Sequence, residues 1–347
     1  MILPATYATA LMLTILSMIC WGSWANTFKL TKKWRLELFY FDYAFGVLLL
    51  GVVAAFTFGS MGDELTFLDN LSIAGKKNMA WALGAGIVFN LANMLLVAAI
   101  SVAGLAVAFP IGIGLALVIG VVWNYILNPQ GNPFLLFSGA LLVVIAIVVD
   151  ALAYRSHEAQ KQAAAPVPQR GKAPAPGMGT SIKGIILSLV SGVLMGSFYP
   201  LVEMSKASEI GLGPYSVAVF FGVGVFFSTF VFNLYFMNLP VQGDAVPLSA
   251  YFRGSAKAHL LGVLGGLIWC TGAVANFVAA SAPVKVGPAV SYAMGQGATM
   301  ISVLWGLLVW KEFRGADTRV KLLLTIMMVL FISGLALVSI APLYAGT

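Results

Sequence analysis

Amide, hydroxyl and aromatic side chains recur inside the long apolar segments of this 347-residue chain. A polar group in such a segment is costly unless it has a partner, so it is a functional candidate by default. Amides and hydroxyls donate and accept hydrogen bonds, and tryptophan faces stack on flat rings. This set therefore predicts a binding site for a neutral polar solute. The candidate contacts are Gln296, Asn93, Asn276, Asn90, Trp269, Tyr292, Thr299, Trp21, Trp24 and Tyr199.

These residue types also have purely structural explanations. An asparagine in a membrane helix can hydrogen-bond a neighbouring helix, typically for ~1 kcal/mol or less, and this alternative applies to all three asparagines. The two tryptophans of the first apolar segment also suit a lipid-facing position or an interfacial belt. Gln296 is the leading candidate because Gly295 and Gly297 leave room beside its mid-segment position.

Few acids are available for ion coupling, and none has a clear midplane position. Asp42, in FYFDYAFG, and Glu203 are the candidates for carrying a proton. Asp42 alternatively forms a salt bridge to Lys33 or Arg35 at headgroup level. Glu203 alternatively forms an i,i+3 pair with Lys206, worth roughly a few tenths of a kcal/mol. Proton coupling is therefore left open by these residues.

The other reactive side chains form no catalytic or metal-binding pattern. Two histidines and two cysteines, all far apart in the sequence, do not make a metal-ligand cluster. A nucleophile beside a base is also missing from the apolar segments, which argues against an enzyme. We expect no catalytic residues, no metal and no cofactor.

The elements that carry the candidates are membrane helices. Hydrophobic residues make up 60% of the chain and charged residues only 9%, against roughly 25% charged in soluble domains. Apolar runs of about 20 residues recur, the length that crosses a bilayer core. The sequence predicts an all-α membrane protein with ten transmembrane helices. The predicted spans are 5–28, 39–59, 80–100, 104–126, 133–154, 183–203, 214–237, 259–281, 286–309 and 321–341.

Lysine and arginine predict the orientation of these spans. Loops after odd-numbered spans carry 15 of these residues, and the opposite side carries Lys76, Lys77, Lys206 and Lys285. The positive-inside rule makes the first set cytoplasmic and places both termini outside the cytoplasmic membrane. The net charge of +7 is thus explained by topology, and no nucleic-acid partner is expected.

The chain also repeats itself without gaps. At an offset of 183, Asn93 aligns with Asn276 and Gly104 with Gly287. A second echo at an offset of 174 pairs the GSW sequence at 22–24 with the GSF sequence at 196–198. Each half holds five predicted spans, an odd number, so the second half must be inverted relative to the first. Inverted repeats are typical of secondary transporters, whose site lies near the midplane between the halves.

The repeat defines the expected domain boundaries. Residues 1–154 form the first five-helix repeat and residues 183–347 the second. Residues 155–182, containing AAAPVPQRGKAPAPG, lack apolar periodicity and predict a flexible cytoplasmic linker.

Three segments give the chain a family resemblance. It resembles the drug/metabolite transporter superfamily, in particular the branch of ureide permeases and bacterial glucose/ribose porters. That resemblance implies a fold of ten helices in inverted repeats. A likeness to the ureide permeases implies proton-coupled import of allantoin and nucleobases, whereas a likeness to the porters implies import of sugars. Asp42 matches an acidic position of the ureide permeases. The segments are FDYAFGVLLLGVVAAFTFGSMG, NLANMLLVAAISVAGLAVAFPIGIG and GPAVSYAMGQGATMISVLWGLLVWKEFRG.

The combined expectation is a secondary transporter that imports a small neutral polar solute, a sugar or a ureide or nucleobase, with proton coupling open. Its partners are that solute, the lipid bilayer and, if coupled, protons. The alternative within the superfamily is a drug or metabolite exporter. A passive channel and a membrane enzyme are weaker alternatives. The identity of the solute and the oligomeric state stay undetermined at this stage.

Overall fold

The computed structural model describes residues 1–31, 34–62, 65–164, 182–240, 244–284 and 286–344, and the statements below concern this part of the chain. Its helices are α1 (Tyr7–Ser23), α2 (Ala25–Leu30), α3 (Leu36–Phe56), α4 (Phe67–Ile73), α5 (Lys76–Ala103), α6 (Leu105–Leu127), α7 (Pro133–Ala164), α8 (Ile182–Lys206), α9 (Pro214–Asn238), α10 (Ser249–Phe252), α11 (Ala256–Ala280), α12 (Pro288–Gly295), α13 (Ala298–Leu308) and α14 (Thr318–Ile340). A short 3₁₀ helix, Ala341–Tyr344, follows α14.

Nine helical stretches among the described residues are long and apolar enough to cross a membrane. They match nine of the ten predicted spans, with α1 and α2 forming one stretch, Tyr7–Leu30. The remaining predicted span, 286–309, consists of two shorter helices, α12 and α13. Together these helices cover 288–308, which at ~1.5 Å per residue is long enough for a ~30 Å bilayer core.

The break between α12 and α13 is a tight turn of the backbone. The N–H of Gln296 is shared between the carbonyls of Tyr292, at 3.3 Å, and Ala293, at 3.2 Å. The N–H of Gly297 donates to the carbonyl of Met294 at 3.1 Å. The bond to Tyr292 is α-helical, whereas the bonds to Ala293 and Met294 follow the 3₁₀ pattern, which often marks a hinge when it interrupts a helix. Gln296 and Gly297 keep helical backbone angles, so the ninth span changes to a 3₁₀ turn at its centre.

The fifth span is longer than the sequence predicts. Its helix, α7, continues to Ala164, so residues 155–164 of the expected linker are helical. Glutamine, glutamate, lysine and alanine in this stretch are good helix formers, and the first proline comes only at Pro166. The rest of the expected linker, 165–181, lies outside the described residues.

The helix packing follows the sequence repeat. In one pair, the third span (α5) packs on the sixth (α8). In the equivalent pair, the eighth span (α11) packs on the first (α1). Likewise α5 packs on α9 as α11 packs on α3. Two contacts, α3 with α9 and α7 with α14, join equivalent spans of the two halves. This pairing is consistent with two repeats of five spans that share one core.

Two equivalent glycines show the same correspondence in the backbone. Gly104 precedes α6 with φ 79° and ψ 157°, and Gly287 precedes α12 with φ 75° and ψ 160°. This region of backbone conformation is essentially restricted to glycine. The offset of 183 residues therefore joins two positions with the same special backbone geometry.

Candidate functional site

A buried hydrogen-bond cluster around Asn276 joins four helices at the core of the bundle. The Asn276 amide donates to the Ser17 hydroxyl on α1 at 3.1 Å and to the carbonyl of Ser291 on α12 at 2.9 Å. Its Oδ1 accepts from the hydroxyl of Tyr199 on α8 at 2.5 Å. Asn276 and Tyr199 are both fully buried. Both halves of the chain therefore contribute to one closed polar cluster.

An aromatic stack continues from this cluster. The rings of Trp21 and Trp269 are stacked with centroids 5.9 Å apart, and the Trp21 indole N–H donates to the Trp269 carbonyl at 3.2 Å. Trp269 also stacks on Phe221, at 5.7 Å, and contacts Phe89 at 4.4 Å. Flat rings of this kind bind planar or ring-shaped solutes by their faces. Trp21 and Trp269 thus face the protein core rather than a lipid belt.

The helix break lies beside these side chains. A Cβ added to Gly295 would lie 2.4 Å from the Trp21 ring and 3.3 Å from the Asn276 amide nitrogen. A Cβ on Gly297 would lie 2.4 Å from Met18. The expected free room beside both glycines is therefore occupied by packed side chains in this conformation. The Gln296 side chain is partly exposed and hydrogen-bonds no other residue that the structure describes.

Tyr292 and Thr299 flank the break on either side. Tyr292 is fully buried, and its hydroxyl donates to the carbonyls of Ala116 on α6, at 3.1 Å, and Met195 on α8, at 3.4 Å. Thr299 is also buried, on α13. Tyr292 therefore ties the broken span to both neighbouring helices, which is a positioning contact for the turn at Gln296.

Three other candidates lie in different surroundings. The Asn90 amide donates to the Val225 carbonyl, at 3.2 Å, and to two hydroxyls of α9, so Asn90 joins α5 to α9. The Asn93 amide donates to the Tyr40 hydroxyl of α3 at 2.9 Å. Trp24 packs against Tyr43 with ring centroids 4.7 Å apart. The repeat-related asparagines 93 and 276 thus belong to different polar clusters.

The buried Asp42 pairs with a partly exposed histidine that the sequence did not link to it. Its Oδ2 is 2.8 Å from Nδ1 of His259, at the start of α11, and its Oδ1 accepts from the Tyr251 hydroxyl at 2.7 Å. The expected headgroup bridge to Arg35 is wrong, because the guanidinium of Arg35 pairs with Glu37 instead. Lys33, the other expected partner, lies outside the described residues.

The surroundings of this pair keep the Asp42 carboxyl group out of solvent and in hydrogen-bond contact with Tyr251. Asp42 is only 7% exposed, and the ring of Trp34 covers His259 at 4.8 Å. Burial first, and then the hydrogen bond to Asp42, raises the pKa of the Tyr251 phenol above its ordinary value, so Tyr251 remains a donor. One feature of the sequence could have indicated that His259 is the partner of Asp42. Both residues lie near the predicted cytoplasmic ends of their spans.

Glu203 lies at the opposite end of the bundle. Its carboxylate is 2.5 Å from the Lys206 ammonium, which also donates to the Ser281 hydroxyl at 3.2 Å. The expected i,i+3 pair is therefore present. Both charged side chains and Asn128 line a cavity of about 600 Å³. The cavity is formed by segments that the charge distribution places outside.

The ends of three spans, which the basic residues predict to be cytoplasmic, are tied together. Lys29 of α2 forms an ion pair with Glu312, and its ammonium lies 4.4 Å from the centroid of the Trp310 ring. The Tyr154 hydroxyl of α7 donates to the Glu312 carboxylate at 3.1 Å, and His157 contacts the Glu312 carbonyl at 3.0 Å. This cytoplasmic network closes the first, fifth and ninth spans against one another.

A bundle of apolar membrane-crossing helices, with a 3₁₀ turn inside one span and a polar core cluster between two halves, is typical of multi-pass membrane transporters. The sequence profile of the ureide permease family matches residues 39–172 and 177–341, and the chain belongs to this family.

Individual relatives cover nearly the whole chain. Ureide permease 2 of Arabidopsis thaliana is 24% identical, over 93% of this chain and 94% of its own. The glucose uptake protein GlcU of Staphylococcus xylosus is 26% identical, over 87% and 85%. One solved crystal structure superimposes with a TM-score of 0.58 at 17% identity and covers 95% of this chain and 96% of its own, which supports the fold.

Proposed function

We propose that this protein is a secondary transporter that imports a small neutral polar solute, a ureide or nucleobase or a sugar. Relatives over nearly its full length are named for ureide permeation and glucose uptake, which favours import over the exporter alternative. The proposed solute site combines Asn276, Tyr199 and Gln296 with the stacked rings of Trp21 and Trp269.

The observation that carries this proposal is the break in the ninth span. A 3₁₀ turn within a membrane helix often marks a hinge, and secondary transporters bind their solutes near the midplane between the two halves. Gln296 lies at the break, next in sequence to Gly295, which contacts Trp21 and Asn276. Its side-chain amide has no hydrogen-bond partner among the described residues. A solute that pairs with this amide and stacks on the indoles would satisfy groups that the empty protein leaves unused.

The proposal assigns the other candidates to supporting or neighbouring roles. Tyr292 and Thr299 hold the broken span, and Asn90 joins α5 to α9. Asn93, which bonds to Tyr40, and Trp24, which packs on Tyr43, are assigned to the neighbourhood of the core cluster. Tyr40 also lines a cavity of about 120 Å³ together with Glu37 and Asn233.

Energy coupling belongs to Asp42 in this proposal. A carboxyl group and an imidazole in hydrogen-bond contact can exchange a proton. The pair joins α3 to α11, so a change in its protonation would alter the contact between the two halves. Glu203, paired with Lys206, is the weaker coupling candidate.

The proposed placement is the cytoplasmic membrane with both termini outside. Residues 1–154 and 183–347 form the two inverted repeats, and the segment 155–182 connects them in the cytoplasm. The basic residues of the sequence support this orientation.

Uptake by purified protein in proteoliposomes tests the function. Radiolabelled allantoin and glucose should each be offered over a range of concentrations. We expect saturable uptake of at least one of them, with competition by its unlabelled form. Uptake that rises linearly with concentration would indicate a channel, and no uptake of either solute would contradict the proposal.

A further inference from the structure

The outer cavity contains an ion pair that the core cluster does not use. Glu203 and Lys206 line this space of about 600 Å³ together with Asn128 and Ser281. Ligand pockets are typically ~300–1,000 Å³, so the space suits a small solute. The charged side chains are only 10% and 12% exposed, which holds them in place at the cavity wall.

The two charges of the ion pair sum to zero, and the two groups play opposite parts in hydrogen bonds. The carboxylate of Glu203 only accepts hydrogen bonds, and the ammonium of Lys206 only donates them. Lys206 is held from a second side by the Ser281 hydroxyl, at 3.2 Å. A neutral solute can therefore bind across the pair without bringing net charge into the cavity.

The pair also connects to the core cluster along α8. Tyr199 lies four residues before Glu203 on this helix, one turn closer to the middle of the bundle. The Tyr199 hydroxyl donates to Asn276 at 2.5 Å. The ion pair at the cavity wall is therefore one helical turn from the core cluster.

We propose that Glu203 and Lys206 form an outer binding position that selects solutes of the ureide or amide type before they reach the core cluster. The N–H groups of such a solute donate to Glu203, and its C=O accepts from Lys206. Hydrogen bonds with a charged partner are roughly twice as strong as neutral ones. A hexose can also bridge the pair, since each hydroxyl both donates and accepts. It has no carbonyl group, however, so its oxygens accept from Lys206 more weakly than the C=O of a ureide. This inference deepens the proposed function and rests on it.

The test compares the wild type with the double variant Glu203→Gln/Lys206→Gln, which removes both charges and keeps the site neutral. Glu209→Gln is the matched control, because Glu209 is exposed on the loop that follows α8 and does not line the cavity. In proteoliposomes, the double variant should raise KM for allantoin about tenfold or more, and KM for glucose less than about threefold. An unchanged KM for allantoin, or equal increases for both solutes, would overturn the proposal.

A second readout requires no transport. Ala207→Cys places an exposed thiol at the cavity, whereas the native Cys20 and Cys270 are buried. Allantoin should slow labelling of this thiol by an impermeant maleimide, and the Glu203→Gln/Lys206→Gln changes should abolish the protection. Protection without any uptake would uphold the outer site while refuting the transport function. Labelling unaffected by allantoin would refute the outer site even in a protein that transports.

Discussion

Replacing Gln296 should weaken solute binding without disturbing other hydrogen bonds of the protein. Its amide has no hydrogen-bond partner in the part of the chain that the structure describes, so Gln296→Ala breaks no side-chain hydrogen bond seen there. In the bound state the solute would lose a partner, at a cost of roughly 1–3 kcal/mol, or tenfold and more in apparent affinity. Concentration-dependent uptake measures the change, with the exposed Gln162→Ala as control. An unchanged apparent affinity would remove Gln296 from the site.

Asp42 should matter for accumulation but not for exchange. Asp42→Asn keeps the size of the side chain and the hydrogen bond from Tyr251, yet cannot release a proton. We expect the variant to exchange solute across the membrane without concentrating it against a gradient. Asp150→Asn is the matched control, a buried acid on α7 that does not contact His259. Concentrative uptake by the Asp42 variant would show that coupling lies elsewhere or is absent.

The sequence predicted the polar residue types of the core cluster but not their grouping. Asn93 and Asn276 are equivalent in the repeat, yet an inverted repeat places equivalent residues on opposite sides of the midplane unless they lie on it. The structure accordingly gives them different partners, Tyr40 and Tyr199. His259 was overlooked because its partner is 217 positions away in the sequence, and only the packing of α3 on α11 brings them together.

At the scale of the elements, the two glycines that precede α6 and α12 should resist substitution. Gly104→Ala and Gly287→Ala force a side chain into a backbone region costing of order 1–3 kcal/mol. Each should therefore lower the Tm of the protein in detergent. Gly114→Ala is the control, because Gly114 lies within α6 with open space beside it and gains helix propensity. Equal Tm values for all three variants would show that these turns carry no strain.

The cytoplasmic network should control opening toward the cytoplasm. Glu312→Gln removes the ion pair with Lys29 and weakens the contact with Tyr154. An impermeant maleimide applied to inside-out vesicles should then label Ser302→Cys faster, because Ser302 lies between α1 and α13, bonded to the Gly22 carbonyl. The exposed Glu158→Gln on α7 is the control. An equal labelling rate in both variants would mean that the network does not hold the spans closed.

Hydropathy alone located the membrane spans but could not reveal the break in the ninth. Apolar residues continue through Gln296 and Gly297, and no proline interrupts them. The turn depends on packing, since Trp21 and Met18 fill the space beside the two flanking glycines. Hydropathy also missed the extension of α7 to Ala164. The last residues of this helix are polar, so they were not expected to continue a membrane helix.

At the scale of the whole molecule, the basic residues predict its orientation. The partition of 15 against 4 lysines and arginines places the segment after the fifth span in the cytoplasm. Lys172→Cys should therefore resist an impermeant thiol reagent in right-side-out cells and react after permeabilisation. Ala207→Cys, on the opposite side, should react without permeabilisation. Ready labelling of the first variant in intact cells would reverse the topology.

Solute counterflow tests the central claim, that a neutral polar solute crosses the membrane through the cluster around Asn276. Proteoliposomes loaded with unlabelled solute are diluted into a trace of labelled solute, so that exchange appears as transient accumulation without any ion gradient. We expect wild-type protein and Asn90→Ala to exchange, although Asn90→Ala should have a lower Tm. Asn276→Ala should lose exchange, because Tyr199 and Ser17 lose their shared partner. Wild-type counterflow in a folded Asn276→Ala variant would contradict this route.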